Sequence, residues 1–296
     1  MISVLICSVK PHLLKKVSEN IRKTIGVPHE ILFKDNRIEN SGVCKVYNEL
    51  ALKAKYEKLC FIHEDVILKT ADWGKKIIEL FEEDKSIGLI GLAGCKYKSG
   101  YFSGWYSGVR EFDCANYFHE YPDGNEHVYL NPKQSGNPQE VVCIDGVFIC
   151  CTKEAWQQTL FDEKLLKGFH FYDIDFSLRV SKEFKSIVAF DIDLVHITTG
   201  GDYSNNWVET AILYHQEKKD FLPFSKISID SKATDRKVIK TTMDHLKYFK
   251  ISWRNKFRWI ILQKLFLNPS YFYSIAKFLF YEPLGLKKIH TKLKNR

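Results

Sequence analysis

No two of the chain's eight cysteines stand in a C-x-x-C pair. Cys7, Cys44, Cys60, Cys95, Cys114 and Cys143 are scattered, and Cys150 and Cys151 are adjacent, which speaks against a structural zinc site. Several sit inside apolar, strand-like runs such as SVLICSV and KLCFIHE, where a thiol acts as a small core hydrophobe in a reducing compartment. Glycine is missing after the first apolar run, which continues as CSVKPHLLKK. That absence excludes the G-x-G-x-x-G turn of a dehydrogenase. It also counts against a nucleotidyltransferase, whose loop there is Gly-rich. The start, MISVLICSV, has neither the basic residues nor the small-residue cleavage site of a signal peptide. No run of about 18 apolar residues offers a membrane span, so a cytoplasmic location is expected.

What is present is an ordinary globular composition, 45% hydrophobic and 27% charged, sufficient to bury a core in one large or two small domains. The formal net charge of +8 favours anionic partners such as phosphates, nucleic acid or acidic lipid, without choosing among them. Short apolar strands alternate with amphipathic helices: ISVLICSV, HLLKKVSENIRKTIG, HEILFKDN, then CKVYNELALKAKY, KLCFIHEDVIL, WGKKIIELFEED and SIGLIGLAG. This order predicts an α/β fold with a mostly parallel, nucleotide-binding sheet flanked by helices on both faces. Ligands of such sheets bind beyond the carboxyl ends of the strands.

Residues 96–140 are rich in Gly, Tyr, Asn and Pro and predict a long loop or small insertion, with turns at YPDGNE and PKQSGNPQ. Loops of that length in a compact domain are usually functional. Regular pattern returns with EVVCIDGVFICCT, a strand pair or bent strand. Helix KEAWQQTL, loop FDEKLLKGFHF, helix YDIDFSLRVSKEF, strand SIVAFDIDLVHI, the turn-rich TTGGDYSNN and helix WVETAILYHQEKKDFL follow. From His245 onward the chain is basic and aromatic with almost no acid. We divide it into a main domain over residues 1–225 and a helical C-terminal extension over 226–296.

Three places carry candidate chemistry. In FIHEDVIL an apolar strand is interrupted by His63, Glu64 and Asp65. Adjacent acids at a strand end are costly without a partner. A divalent metal bridging to a diphosphate would supply one, and a solvated acidic turn would also account for them. In GFHFYDIDFSLRV, Asp173 and Asp175 open a helix, where negative charge is favoured. Asp175 and Arg179, four apart, can pair on one face, which leaves Asp173 to face a cleft as a proton acceptor or to cap the helix. In AFDIDLVHITTGG a strand ends in His196, either a satisfied core histidine or a metal ligand.

The order of these elements resembles the GT-A glycosyltransferases, in particular the family 2 type and its glycosyltransferase-like relatives, over residues 1 to about 220. SGVCKVYNELALKAKYEKLCFIHEDV looks like the helix and strand leading to that family's Asp-x-Asp motif, here His63-Glu64-Asp65. The resemblance implies that Asp65 binds the metal, Mn2+ or Mg2+, and through it the donor diphosphate. It places His63 and Glu64 near the donor ribose. ILFKDN implies that Asp35 reads the nucleotide base, and VCIDGVFICCTKEAW that Asp145 and Gly146 meet the sugar. FYDIDFSLRV resembles the Glu-Asp helix start whose second acid is the catalytic base, here Asp173, with Tyr172 in place of the first acid. LVHITTGG implies that His196 completes the metal site.

The activity so implied is an inverting, metal-dependent transfer of a sugar from a nucleotide-sugar donor to a glycan or lipid-linked glycan acceptor. Metal and positive groups would stabilise the leaving diphosphate, and Asp173 would deprotonate the acceptor hydroxyl. Tyr101, Trp105 and Tyr106 are acceptor-stacking candidates, and core packing explains them equally well. The extension has the composition of helices lying on an anionic membrane surface, at the inner face. A subdomain packed on the core or on a second subunit stays open. Nucleic acid is not the expected partner, although Arg, Lys and aromatics bind RNA. Two alternatives remain: a catalytically degenerate relative that binds glycan or nucleotide, and a nucleotidyltransferase.

Overall fold

The computed structural model describes residues 1–120, 126–130, 137–197 and 203–281. The predicted turns at residues 121–126, 132–139 and 198–206 fall largely outside them, as does the end of the extension. The chain opens as β1 (Ile2–Ser8), α1 (Pro11–Thr24), β2 (His29–Asp35), α2 (Val43–Lys53), β3 (Lys58–Ile62), β4 (Val66–Leu68), α3 (Trp73–Glu83) and β5 (Ile87–Gly91). Short strands follow: β6 (Ala93–Cys95), β7 (Tyr97–Lys98), β8 (Asp113–Glu120), β9 (Glu126–Leu130), β10 (Gln139–Val141), β11 (Cys143–Ile144) and β12 (Phe148–Thr152). Then come α4 (Lys153–Thr159), α5 (Tyr172–Glu183), β13 (Lys185–Val188), β14 (Leu194–Ile197), α6 (Asn205–Glu217) and β15 (Phe224–Ser225). The extension forms α7 (Ser231–Leu246), α8 (Trp253–Leu262) and α9 (Phe272–Phe280).

The central sheet has seven strands in the order β10-β13-β5-β12-β3-β1-β2. β1, β2 and β3 are parallel, as are β5 and β13, while β12 runs antiparallel between β3 and β5 and β10 runs antiparallel to β13. Five strands therefore share one direction, the mostly parallel arrangement expected. The strands read as continuous apolar runs because both faces are covered. Successive side chains point to opposite faces. Val4, Ile6, Cys60 and Ile62 accordingly join Val17, Ile21, Trp73 and Phe81 of α1 and α3 on one side. Leu5, Leu59 and Phe61 join Tyr47, Trp156 and Phe176 of α2, α4 and α5 on the other. Seven of the eight cysteines are buried and none is disulfide-bonded; as expected, the strand cysteines fill core positions.

Three apolar runs that read as single strands are each split. β3 and β4, β5 and β6, and β13 and β14 lie in different sheets, because a second sheet, β11-β6-β8-β14-β4 with β9 on β8, stands against the first. β11 and β12 make the same crossing in reverse. The run is apolar on both sides of each break because both sheets bury it. The breaks meet along one seam, stitched by His63 N–H to Val147 O (3.2 Å), Asp145 N–H to Ala93 O (2.9 Å) and Ala189 N–H to Gly91 O (3.0 Å). Within the stretch expected to be a loop or insertion, residues 113–120 form β8, a central strand of the second sheet. The sequence hid this strand behind its Asn and Tyr content. The extension packs on the main domain: Met243, Leu246, Trp259 and Phe278 share a core with Trp207 and Tyr214 of α6.

Candidate metal and donor site

The seam is where the polar residues converge. His63, Glu64 and Asp65 occupy the turn between β3 and β4. β14 pairs antiparallel with β4 and sets His196 opposite Val66, and Ile197 N–H donates to Asp65 O at 2.7 Å. This register carries His196 Nε2 to 3.2 Å from Asp65 Oδ1, with His63 Nδ1 at 3.8 Å from the same oxygen. One ligand atom from each of the three residues lies within 4.8 Å of the others. All three side chains are part-buried. Burial opposes ionisation of Asp65, but the His196 hydrogen bond and the neighbouring imidazoles outweigh it, so its pKa lies below the ordinary carboxylate value. Burial, in turn, lowers the His63 pKa and favours the neutral ring a metal needs.

A hydrogen-bond chain orients that ring. His63 Nε2 lies 2.8 Å from the Tyr172 hydroxyl, which donates to Gly146 O at 3.0 Å. The hydroxyl has one proton and a carbonyl oxygen can only accept it. The contact with His63 therefore requires Nε2 to donate, and Nδ1 is left with its lone pair toward Asp65. Gly146 N–H donates to Asp173 Oδ2 at 2.8 Å. A Cβ on Gly146 would lie 2.2 Å from the Tyr172 hydroxyl, so only glycine lets these groups meet. Phe171, just before α5, sits in the left-handed region with φ 67°, held by the rings of Trp207 and Tyr214 at 5.5 and 5.3 Å. That turn delivers Tyr172 and Asp173 to the seam.

Burial, and next the charge of Asp145, push the Asp173 carboxyl up to about 7. A carboxylate of that basicity suits proton abstraction near neutral pH. Asp173 is no helix cap: it lies inside the first turn of α5, which Phe171 precedes. Asp175 pairs with Arg179 at 2.7 Å, as its spacing predicted, and also with Lys218 at 3.0 Å. Asp145 Oδ1 accepts from Val147 N–H at 2.9 Å and fixes the turn into β12.

The other expected donor residues stand further out. The Glu64 carboxylate accepts from Ser8 Oγ (2.6 Å) and from the Val9 and Lys10 amides (3.2 and 3.1 Å), which ties β3 to the end of β1 and the start of α1. Asp35, at the end of β2, is clamped by Arg37 through Nε (2.9 Å) and Nη2 (2.6 Å), and that pairing holds its pKa down to about 2. Of the three acceptor candidates, Trp105 and Tyr106 meet edge to face with ring centres 5.7 Å apart. Tyr101 packs on the helical core, Trp105 touches both core clusters, and Tyr106 lines a cavity with α7 and α9. Phe169 is better placed than any of them: it is 52% exposed, with its ring 5.6 Å from that of His63. Its position in GFHFYD, just before the helix-start acid, was the cue available in the sequence. His119 of β8 lies opposite His196 in register, with the rings 5.4 Å apart. Nothing in the sequence marked it, because it lies in the stretch read as a loop.

The family model that matches, described as "Glycosyltransferase like family", covers residues 3–223. The chain belongs to the glycosyltransferase-like family. This is the family-2-like relationship that the sequence suggested. No curated protein matches the chain significantly. Among solved structures, a mannosyltransferase, PcManGT from Pyrobaculum calidifontis in complex with GDP-Man and Mn2+, is similar at 10% identity and a TM-score of 0.48, covering 100% of this chain and 88% of its own. GalNAc-T7 with UDP, GalNAc and Mn2+ is similar at 15% identity and a TM-score of 0.44. That match covers 84% of this chain, which spans 56% of the GalNAc-T7 chain. Among the described residues, no helix is long and apolar enough to cross a membrane.

The His63, Asp65 and His196 set fits a divalent cation. It offers two imidazole nitrogens and a carboxylate, with the far nitrogen of His63 already fixed by Tyr172. Two nitrogen donors suit a first-row transition ion better than Mg2+, which prefers oxygen.

Proposed function

We propose that this protein transfers a sugar from a nucleotide-sugar donor to a glycan or lipid-linked glycan acceptor, with inversion at the anomeric carbon. One observation carries the reading. The His63-Asp65-His196 set and the up-shifted carboxylate of Asp173 are joined by the single chain His63–Tyr172–Gly146–Asp173. A metal-capable centre and a general base are thus held in fixed relation across one cleft rim.

Asp65, His63 and His196 would hold the cation, with Mn2+ favoured over Mg2+. When bound, that cation would neutralise charge on the departing nucleoside diphosphate. Asp35 and Arg37, at the open end of β2, are placed to meet the base or ribose. Asp145 and Gly146 bound the sugar subsite, and Glu64 keeps its rim in shape by holding Ser8 and the Lys10 amide. Asp173 accepts the proton of the attacking acceptor hydroxyl, which approaches from the face opposite the leaving group. Phe169, half exposed beside His63, offers the ring on which an acceptor sugar stacks.

The test is a transfer assay with a panel of UDP- and GDP-sugars, with Mn2+ or Mg2+, and oligosaccharide acceptors. Diphosphate release and the product's anomeric configuration are read together. The reading expects Mn2+-dependent release with one donor class and an inverted product. Nucleotide binding with no turnover on any donor, or a retained configuration, would contradict it.

A further inference from the structure

α8 splits its circumference in two. Asn255, Lys256, Trp259 and Ile260 are buried against the core. Trp253, Phe257 and Ile261, four residues apart and so on one side of the helix, are 53%, 48% and 56% exposed. α9 does the same, with Phe272, Ala276 and Phe280 outward and Phe278 buried. The two stripes meet where the rings of Trp253 and Phe280 stand 5.8 Å apart. Exposed Phe266 and Leu267, in the turn between the helices, add to the apolar surface there. A contiguous apolar face of this kind marks an interaction surface.

Along α8 and α9 themselves the charge has one sign, and the acid that α6 brings against α8, Glu209, accepts from Asn255 Nδ2 at 3.0 Å. No acidic residue occurs between Asp244 and Glu282. Lys250, Arg254 and Lys264 are exposed, and Arg254 and Arg258 flank the α8 stripe. A 520 Å³ cavity between α7 and α9, lined by Lys237, Lys240 and Lys277, brings further positive charge to the same end of the molecule, against the single acid Asp244. Lys277 and Tyr273 of α9 line this cavity, and Tyr273 is 72% exposed.

We propose that the outward face of α8 and α9 docks on an anionic lipid surface. Trp253, Phe257, Ile261, Phe272 and Phe280 enter the headgroup–acyl boundary, while Arg254, Arg258, Lys264 and the cavity lysines meet lipid phosphates. Apolar side chains beside cations, on helices too short to cross, fit the interface of an anionic bilayer. A second copy of the chain would instead bring two faces of like charge together. The inference does not depend on the transferase reading, and vesicle binding tests it without any turnover.

The experiment is co-sedimentation of the full chain with phosphatidylcholine vesicles and with vesicles one-quarter phosphatidylglycerol, beside sedimentation velocity without lipid. Binding to the anionic vesicles alone is expected, weakening as salt is raised. The variant Trp253→Ser/Phe257→Ser/Ile261→Ser should lose roughly tenfold or more of that binding at an unchanged melting temperature. Arg254→Gln/Arg258→Gln/Lys264→Gln should remove the preference for anionic lipid. Absence of binding to either vesicle, or equal binding by the stripe variant, overturns the proposal. So does a concentration-dependent dimer that the stripe variant abolishes, which would assign the face to a second copy.

Discussion

Around His63 the polar side chains hold one another. Tyr172 bridges His63 to Gly146, Gly146 holds Asp173, and Asp65 lies against both imidazoles. Along α8 and α9 the arrangement is reversed, with aromatic rings outward and cations beside them. The difference lies in what each region needs from the rest of the chain. Partly satisfied buried networks are costly, so the seam holds its geometry only while every member is present. The outward stripe contributes little to folding, because its side chains stay largely in water. Changes at the seam should therefore alter chemistry, and changes on the stripe should alter location.

The largest effect should come from Asp173→Asn, which keeps the shape and removes the base. Its kcat is expected to fall about 10²–10⁴-fold, while nucleotide affinity holds. The same carboxyl sets a pH dependence. In the folded chain it stays protonated up to about 7, whereas in the unfolded chain it ionises near about 4. The folded chain holds the extra proton between those values, so this group's contribution favours folding at the acid end and declines as pH rises. Wild-type kcat/KM should rise about tenfold per pH unit below about 7 and level off above it. A profile flat from pH 5 to 8 would remove Asp173 from the role of base.

Within α8 the comparison can be drawn on one helix. Trp259 is 1% exposed and Trp253 is 53% exposed. Trp259→Ala should cost about 3–5 kcal/mol by denaturant unfolding, and Trp253→Ala no more than about 0.5 kcal/mol. Equal losses would mean that the outward face is part of the core.

A smaller effect is expected from Tyr172→Phe. It leaves the ring in place and deletes the bridge, so His63 can take either tautomer and the Gly146 carbonyl loses its donor. Cation affinity should fall roughly tenfold to a hundredfold, and if the tyrosine acts through His63, Tyr172→Phe should add no further loss in a His63→Asn background. An unchanged affinity in Tyr172→Phe would leave the tyrosine a packing residue.

Much of the seam was legible in the sequence because its polar residues interrupt apolar runs. His63-Glu64-Asp65 breaks one strand and His196 ends another, while Asp145-Gly146 breaks a third run. Their meeting was not legible. It depends on strands crossing from one sheet to the other, and an apolar run reads the same whether one sheet or two bury it. Tyr172 looked like a lost acid, because only the structure shows its hydroxyl between His63 and Gly146. The resemblance set Glu64 near the donor ribose, and the structure adds that its carboxylate holds β1, since acidity alone does not say which amides lie nearby. For the extension, composition foretold basic and aromatic helices. The four-residue spacing of Trp253, Phe257 and Ile261 held the outward face, but not which side of the helix the core would cover.

The measurement that bears most directly on the central claim is calorimetric titration of nucleoside diphosphates into the full chain with Mn2+, with Mg2+ and with chelator, beside Asp65→Ala. One nucleotide should bind with Mn2+, at least tenfold more weakly with Mg2+ and not measurably with chelator or in the variant. Binding that is equally strong without any divalent ion, or unaltered in Asp65→Ala, would contradict the assignment of the seam as a metal and donor site.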